Sequence, residues 1–207
     1  MASTIIHMAI AKELEDKLEI KDKKDYYLGS IAPDIAKQIG LKRNISHFSD
    51  NIRKGIPDLK LFIKRYPMFK YNSFNLGYFI HLYTDKIWDE DILSKIVSNN
   101  SIRLLDGTTI KSNSEEIKEL VYSDYTNLNQ ELIEKYNLDL SLFYEKFKIP
   151  NTELKEIPVD RLDILINKMS IIIENSKQEK KYTIDMNIVN NFIERCTKEI
   201  LEEIEKY

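Results

Sequence analysis

Residues 72–92, NSFNLGYFIHLYTDKIWDEDI, form an apolar and aromatic run whose hydrophobic positions recur at three- and four-residue steps. A soluble chain has to bury such a run, and the period predicts a long buried helix. His81 and Asp85 lie four residues apart inside it, so both side chains stand on one face of that helix. Taking a carboxylate out of water is costly unless it is paired or bound to a cation. A metal ion is the economical partner for Asp85. An ion pair with Lys86 or Lys70, or a hydrogen bond that orients His81, is the other way to satisfy it.

The rest of the chain follows the same period. Only five glycines and five prolines punctuate 207 residues, which predicts an all-α, multi-helix bundle built as a single domain over residues 1–207. Ser3 or Thr4 caps a first helix running to about Ile20, with His7 on its first turns. A second leads from Asp25 to Ile31 and stops at Pro33; a third lies between Asp50 and Lys70, ending near Pro67. Later helices are expected over Glu115 to Tyr136, Ser141 to Phe147, Val159 to Glu174 and Asp185 to Lys206. Between Ser98 and Ser114 the pattern changes. Asp106-Gly107 between short β-prone runs signals a small hairpin near residues 101–111.

Composition narrows the setting. An apolar content of 43% with 31% charged residues is that of a globular protein with one sizeable core. A net charge of -3 gives no overall attraction to nucleic acid or to anionic membranes. No window is long and apolar enough for integral membrane contact, and early acids at Glu13, Glu15 and Asp16 do not suit a signal peptide. Cys196 stands alone and cannot form an internal disulfide, so a cytoplasmic, reducing location is expected, with this thiol a buried bystander.

The chain has three histidines, His7, His47 and His81. Each alone reads as a packed core residue with a hydrogen-bond partner. Together with Asp34, which closes GSIAPD, and Asp85, they form a set of imidazoles and carboxylates suited to zinc or a similar ion. Iron, manganese or nickel would suit the same ligands, because such sites discriminate poorly among these metals.

The segments HMAIA, LGSIAPD, SHF and GYFIHLYTDKIW, in that order over roughly the first ninety residues, resemble the zinc-dependent phospholipase C family. That family shares its helical fold with the single-strand-specific zinc nucleases, and YSDYTNLN in the later half is also similar to it. The resemblance implies two zinc ions: Asp34, His47, His81 and Asp85 would hold one, while His7 and a bridging Asp85 would hold the second. Asp89, one turn further along, is a further candidate ligand. The implied activity is hydrolysis of a phosphodiester or phosphomonoester by a metal-activated water, with Asp34 as catalytic proton acceptor as well as ligand. The substrate would be a small-molecule or lipid-like phosphoester; the net charge does not indicate nucleic acid.

The chain departs from the family pattern in two ways. Secreted members use a processed N-terminal amine and a later histidine and glutamate as ligands, whereas no histidine follows position 81 here. A full three-metal site is not expected, although glutamates or Asp124 are conceivable substitutes. The alternative function is therefore a non-catalytic, metal-binding helical domain with a structural or ligand-sensing role. A helical phosphohydrolase of the HD type is disfavoured, because the adjacent His-Asp pair is absent.

Two further features bear on substrate. The segment between the second and third ligands carries Arg53, Lys54, Lys60, Lys64, Arg65 and Lys70, either to attract an anion or as an ordinary solvated helix face. Among Tyr26, Tyr27, Phe48, Tyr78, Tyr83 and Trp88, the candidates to flank a substrate are Tyr78 and Trp88, each three positions from a proposed ligand. Such aromatics more often fill a core.

Overall fold

In a computed structural model, which describes residues 1–49 and 55–207, the chain is all-α apart from one small sheet. The order is α1 (Thr4–Glu15), α2 (Lys23–Ile31), a 3-10 turn at Ala32–Asp34, α3 (Ile35–Gln38), α4 (Arg43–Ser46), α5 (Leu59–Arg65) and α6 (Ser73–Trp88). A π-turn at Asp89–Leu93 and α7 (Ser94–Ile96) lead to strands β1 (Val97–Ser98), β2 (Ser101–Arg103) and β3 (Thr109–Lys111). The chain then returns to α8 (Ser114–Lys135), α9 (Leu162–Glu174) and α10 (Met186–Ile204). Among the described residues, no helix is long and apolar enough to cross a membrane.

The centre of the fold is the pairing of α2 with α6. It depends on two glycines. A Cβ on Gly29 would overlap the carbonyl of Phe74, and one on Gly77 would overlap the carbonyl of Tyr26, so the two backbones approach more closely than any side chain permits. Helix α6 is capped by Asn72, whose side chain accepts from the Asn75 amide, and it is buried along nearly its whole length. Helix α1 packs on α2 and α6 and also on α8 and α10, so helices from both halves of the chain cover it. An aromatic group of Phe62, Phe69 and Phe79 fills the space below α6.

Several elements differ from the sequence reading. Helix α1 stops at Glu15, well short of Ile20. At its end Glu15 is buried and takes ion pairs from Lys12 and from Lys23, which the following turn brings back over the helix end. Of the helix expected between Asp50 and Lys70, the structure has α5 and a 3-10 turn at Phe69–Tyr71; residues 50–54 lie outside the described part. The helix expected from Ser141 to Phe147 is only a 3-10 turn at Ser141–Phe143. The hairpin around Asp106-Gly107 is present as β2–β3, with Ile102 opposite Ile110. A third strand, β1, was not anticipated. It joins β2 through Asn99 and Asn100, both with positive φ, the conformation that a two-residue hairpin turn requires.

Candidate metal centre

Four elements bring the polar groups together. Helix α6 supplies His81 and Asp85, one turn apart and both fully buried. Helix α1 supplies His7, whose ring stacks on His81 with centroids 3.8 Å apart. The 3-10 turn after α2, Ala32–Asp34 with Pro33 in its first positions, ends at Asp34. His47 caps the short α4, and Phe48 after it turns the chain with φ of 52°, a conformation that costs a bulky residue roughly 1 kcal/mol. Packing of the Phe48 ring against Phe62 holds that turn.

The histidines are oriented from behind. His81 Nδ1 lies 2.9 Å from the Ser30 carbonyl, which can only accept, so Nδ1 carries the proton and Nε2 presents a lone pair. Ser46 Oγ donates to the Arg43 carbonyl, leaving it to accept from His47 Nδ1 at 2.8 Å. His47 Nε2 is therefore a lone-pair donor too. The two Nε2 atoms stand 3.3 Å apart, and Asp85 Oδ2 lies 3.4 Å from one and 3.7 Å from the other.

Three acceptors facing one another repel unless a cation lies among them. These separations are long for hydrogen bonds and near the edge of a tetrahedron, about 3.3 Å when each ligand is ~2.0–2.1 Å from a central zinc ion. His7 adds a second sign. Both its ring nitrogens are buried without a hydrogen-bond partner, which is unusual for a fully enclosed imidazole. Two sets are spaced to hold a metal ion: His47, His81 and Asp85, and His7, Asp34 and His81, with their ligand atoms within 4.8 Å of one another. The donor chemistry fits zinc.

The residue common to both sets is His81; Asp85 belongs to the set with His47, and it also faces His7 of the other set. Asp85 Oδ1 takes the Ala2 amide at 2.9 Å and faces His7 Nε2 at 3.4 Å; its Oδ2 takes Arg43 Nη2 at 2.7 Å and faces His47. Burial alone would raise this carboxyl, but the N-terminal ammonium and the neighbouring His47 and His7 rings hold it well below the usual carboxylate range. Burial lowers His47 to about 4, helped by the Arg43 charge, and lowers His81 to about 4, helped by the His7 ring. Both imidazoles are thus neutral at neutral pH, the form that binds metal.

The remaining sequence candidates fall elsewhere. Asp89 Oδ1 is engaged by the N-terminal ammonium of Met1 at 2.6 Å and belongs to neither set. Asp124 is not a substitute ligand: it is buried on α8, where it accepts from the amides of Tyr182, Thr183 and Ile184 and clamps that loop. Tyr78 and Trp88 are core residues rather than surfaces for a substrate. The Tyr78 hydroxyl donates to the Ser46 carbonyl, and Trp88 Nε1 donates to Tyr125 Oη at 2.8 Å. Tyr26 and Tyr27 brace α1 through Ala11 and Glu15, and none of the six aromatics lines the cavity beside Asp34. Lys60, Lys64 and Arg65 face solvent, with Arg65 paired to Glu156; Arg53 and Lys54 lie outside the described residues. Neither Lys86 nor Lys70 reaches Asp85, since Lys86 pairs with Glu90.

Sequence reasoning missed Arg43, Ser30 and the Met1–Ala2 segment. Arg43 sits beside Lys42 in LKRNISHF, and nothing local distinguishes it. Comparison with curated proteins and with solved structures gives no match. A family model described as zinc dependent phospholipase C matches residues 6–207. Together with the helical fold and the buried cluster of histidines and carboxylates, this match shows that the chain belongs to the zinc-dependent phospholipase C family.

Proposed function

We propose that the chain is a metal-dependent hydrolase of phosphodiesters or phosphomonoesters, working in the cytoplasm with two zinc ions held by His7, Asp34, His47, His81 and Asp85. Family membership supports the reaction class. The observation that carries the ligand assignment is the convergence of His47 Nε2, His81 Nε2 and Asp85 Oδ2 as three facing acceptors.

Zinc at such a site supplies Lewis acidity, acidifying water and neutralising charge that develops on the phosphoryl oxygens. The chain's residues do the rest. Ser30 and Ser46 fix the tautomers of His81 and His47, so the ligating nitrogens need no reorganisation. Asp85 would link the two sets through its separate oxygens, Oδ1 toward His7 and Oδ2 toward His47. Asp34 is 14% exposed at its side chain while His7, His81 and Asp85 are closed to solvent, so it is the carboxylate that can take a proton from the attacking water and pass it outward. A cytoplasmic setting accords with one buried, unpaired cysteine.

Elemental mass spectrometry on protein purified without a metal-binding tag tests the reading. Close to two zinc ions per chain, lost in His81→Ala together with turnover of a chromogenic phosphodiester, is the expected result. Metal without turnover would instead establish the alternative, a non-catalytic metal-binding domain, which the Arg43 guanidinium already seated on Asp85 favours.

A further inference from the structure

The two sets of donors overlap at His81, and a neutral imidazole has one lone pair to give. His81 Nδ1 carries its proton toward the Ser30 carbonyl at 2.9 Å, so Nε2 is the ligating atom and serves one ion only. The sets therefore compete for it. Nε2 stands 3.3 Å from His47 Nε2 and 3.7 Å from Asp85 Oδ2, which places it with the His47 set. Once His81 is committed there, the other set retains His7 and Asp34, with Asp85 Oδ1 facing His7 Nε2 at 3.4 Å.

The rings also differ in how they are held. His47 has Ser46 Oγ behind it and His81 has the Ser30 carbonyl, whereas among the described residues neither ring nitrogen of His7 has a hydrogen-bond partner. His7 is positioned by packing, its ring stacked on His81 with planes 11° apart. A ligating histidine ordinarily donates its other N–H to an outer partner, and loss of that partner lowers metal affinity about 10–100-fold. Access to water separates the sets as well. The Asp34 side chain is 14% exposed, while those of His47, His81 and Asp85 are at most 1% exposed. The Arg43 guanidinium on Asp85 Oδ2 opposes a cation in the first set, yet it is 31% exposed and screened by solvent, and that oxygen keeps another lone pair.

We propose that the two metal positions are unequal and fill in order. The first ion takes His47, His81 and Asp85; the second, on His7 and Asp34, is held about a hundredfold more weakly, having lost one imidazole and lacking an outer partner for the other. Ser30 is the positioning residue behind this order, because its carbonyl leaves His81 a single lone pair. The consequence for function rests on the two-ion hydrolase reading: turnover would switch on over the range of free zinc that His7 and Asp34 set.

The test follows metal rather than turnover. Titrating metal-free protein with zinc against a chromogenic chelator should give two steps of one ion each, about a hundredfold apart. Nitrogen NMR of protein labelled in its three histidines needs no variant to fold. The first equivalent of zinc should move the Nε2 resonances of His47 and His81, and His7 should respond only to the second. His7→Gln should remove the weak step and leave the strong one. Two steps of equal affinity, a His7 response to the first equivalent, or loss of the strong step in a folded His7→Gln would overturn the proposal. Ordered filling without any phosphoester turnover would remove the hydrolase reading and leave the order intact; equal filling with turnover would do the reverse.

Discussion

His81 on α6 donates from Nδ1 to the carbonyl of Ser30 on α2, at 2.9 Å, across 51 residues of sequence. This bond sets which nitrogen of His81 faces the other ligands, and it exists only because the Gly29 and Gly77 backbones let the two helices touch. The close packing of a helix pair and the chemistry of the metal centre are therefore the same structural fact.

Replacing Gly77 with Ala tests that connection. The added methyl meets backbone of α2, which cannot swing aside as a side chain can, so a loss of about 2–3 kcal/mol is expected. Denaturant titration would measure it. Zinc content of the folded fraction should fall as well, because separating α2 from α6 withdraws Ser30 from His81. Full zinc occupancy in a destabilised Gly77→Ala protein would break the link.

Arg43 gives a prediction about the metal-free state. Its guanidinium pairs with Asp85 Oδ2 at 2.7 Å, and Arg43→Met would remove that partner from a buried carboxylate. Removing one partner of a buried pair costs 3–5 kcal/mol, and the 31% exposure of Arg43 reduces this to roughly 2 kcal/mol. Zinc should restore most of the loss, since it supplies the missing positive charge. Melting curves with chelator and with zinc would show a larger zinc-induced rise for the variant than for the parent; an equal rise would refute the role given to Arg43.

Acid should weaken the metal-free protein in a defined window. His47 and His81 titrate at about 4 in the fold against 6.5 in an unfolded chain. Between those values the unfolded state binds more protons, so stability is complete above about 6.5, declines as pH falls and is lost by about 4. Asp85, held below its ordinary value, adds to the loss at the acid end. Thermal melts of chelated protein across this range should rise with pH and then level off, and a His47→Gln, His81→Gln double variant should flatten the slope.

Cys196 is fully buried on α10, and burial pushes its thiol well above the ordinary range. A thiol reagent should leave the native protein unlabelled for hours and modify one thiol per chain in denaturant. Rapid native labelling would show that α10 opens far more readily than its packing on α1 and α6 implies.

Much of this molecule is legible along the chain. Helix periodicity marks α6, α8 and α10, and Asp106-Gly107 marks a hairpin. Where the reading failed, a tertiary contact had overruled a local signal. Helix α1 ends at Glu15, where Lys23 returns to pair with it, and Trp88 belongs to the core because Tyr125, 37 residues later, takes its N–H. Asp124 looked available as a ligand, yet three amides from residues 182–184 claim it.

By itself the sequence determined that the chain is helical, and it marked His7, Asp34, His47, His81 and Asp85 as candidate metal ligands, because period and donor type are written locally. Only the tertiary structure decided how those donors face one another. Arg43 on Asp85, the Ser30 and Ser46 partners behind the rings, and the cavity beside Asp34 depend on helices meeting at particular depths. That depth is set by which side chains, or which glycines, stand at each crossing, and no local pattern along the chain encodes it.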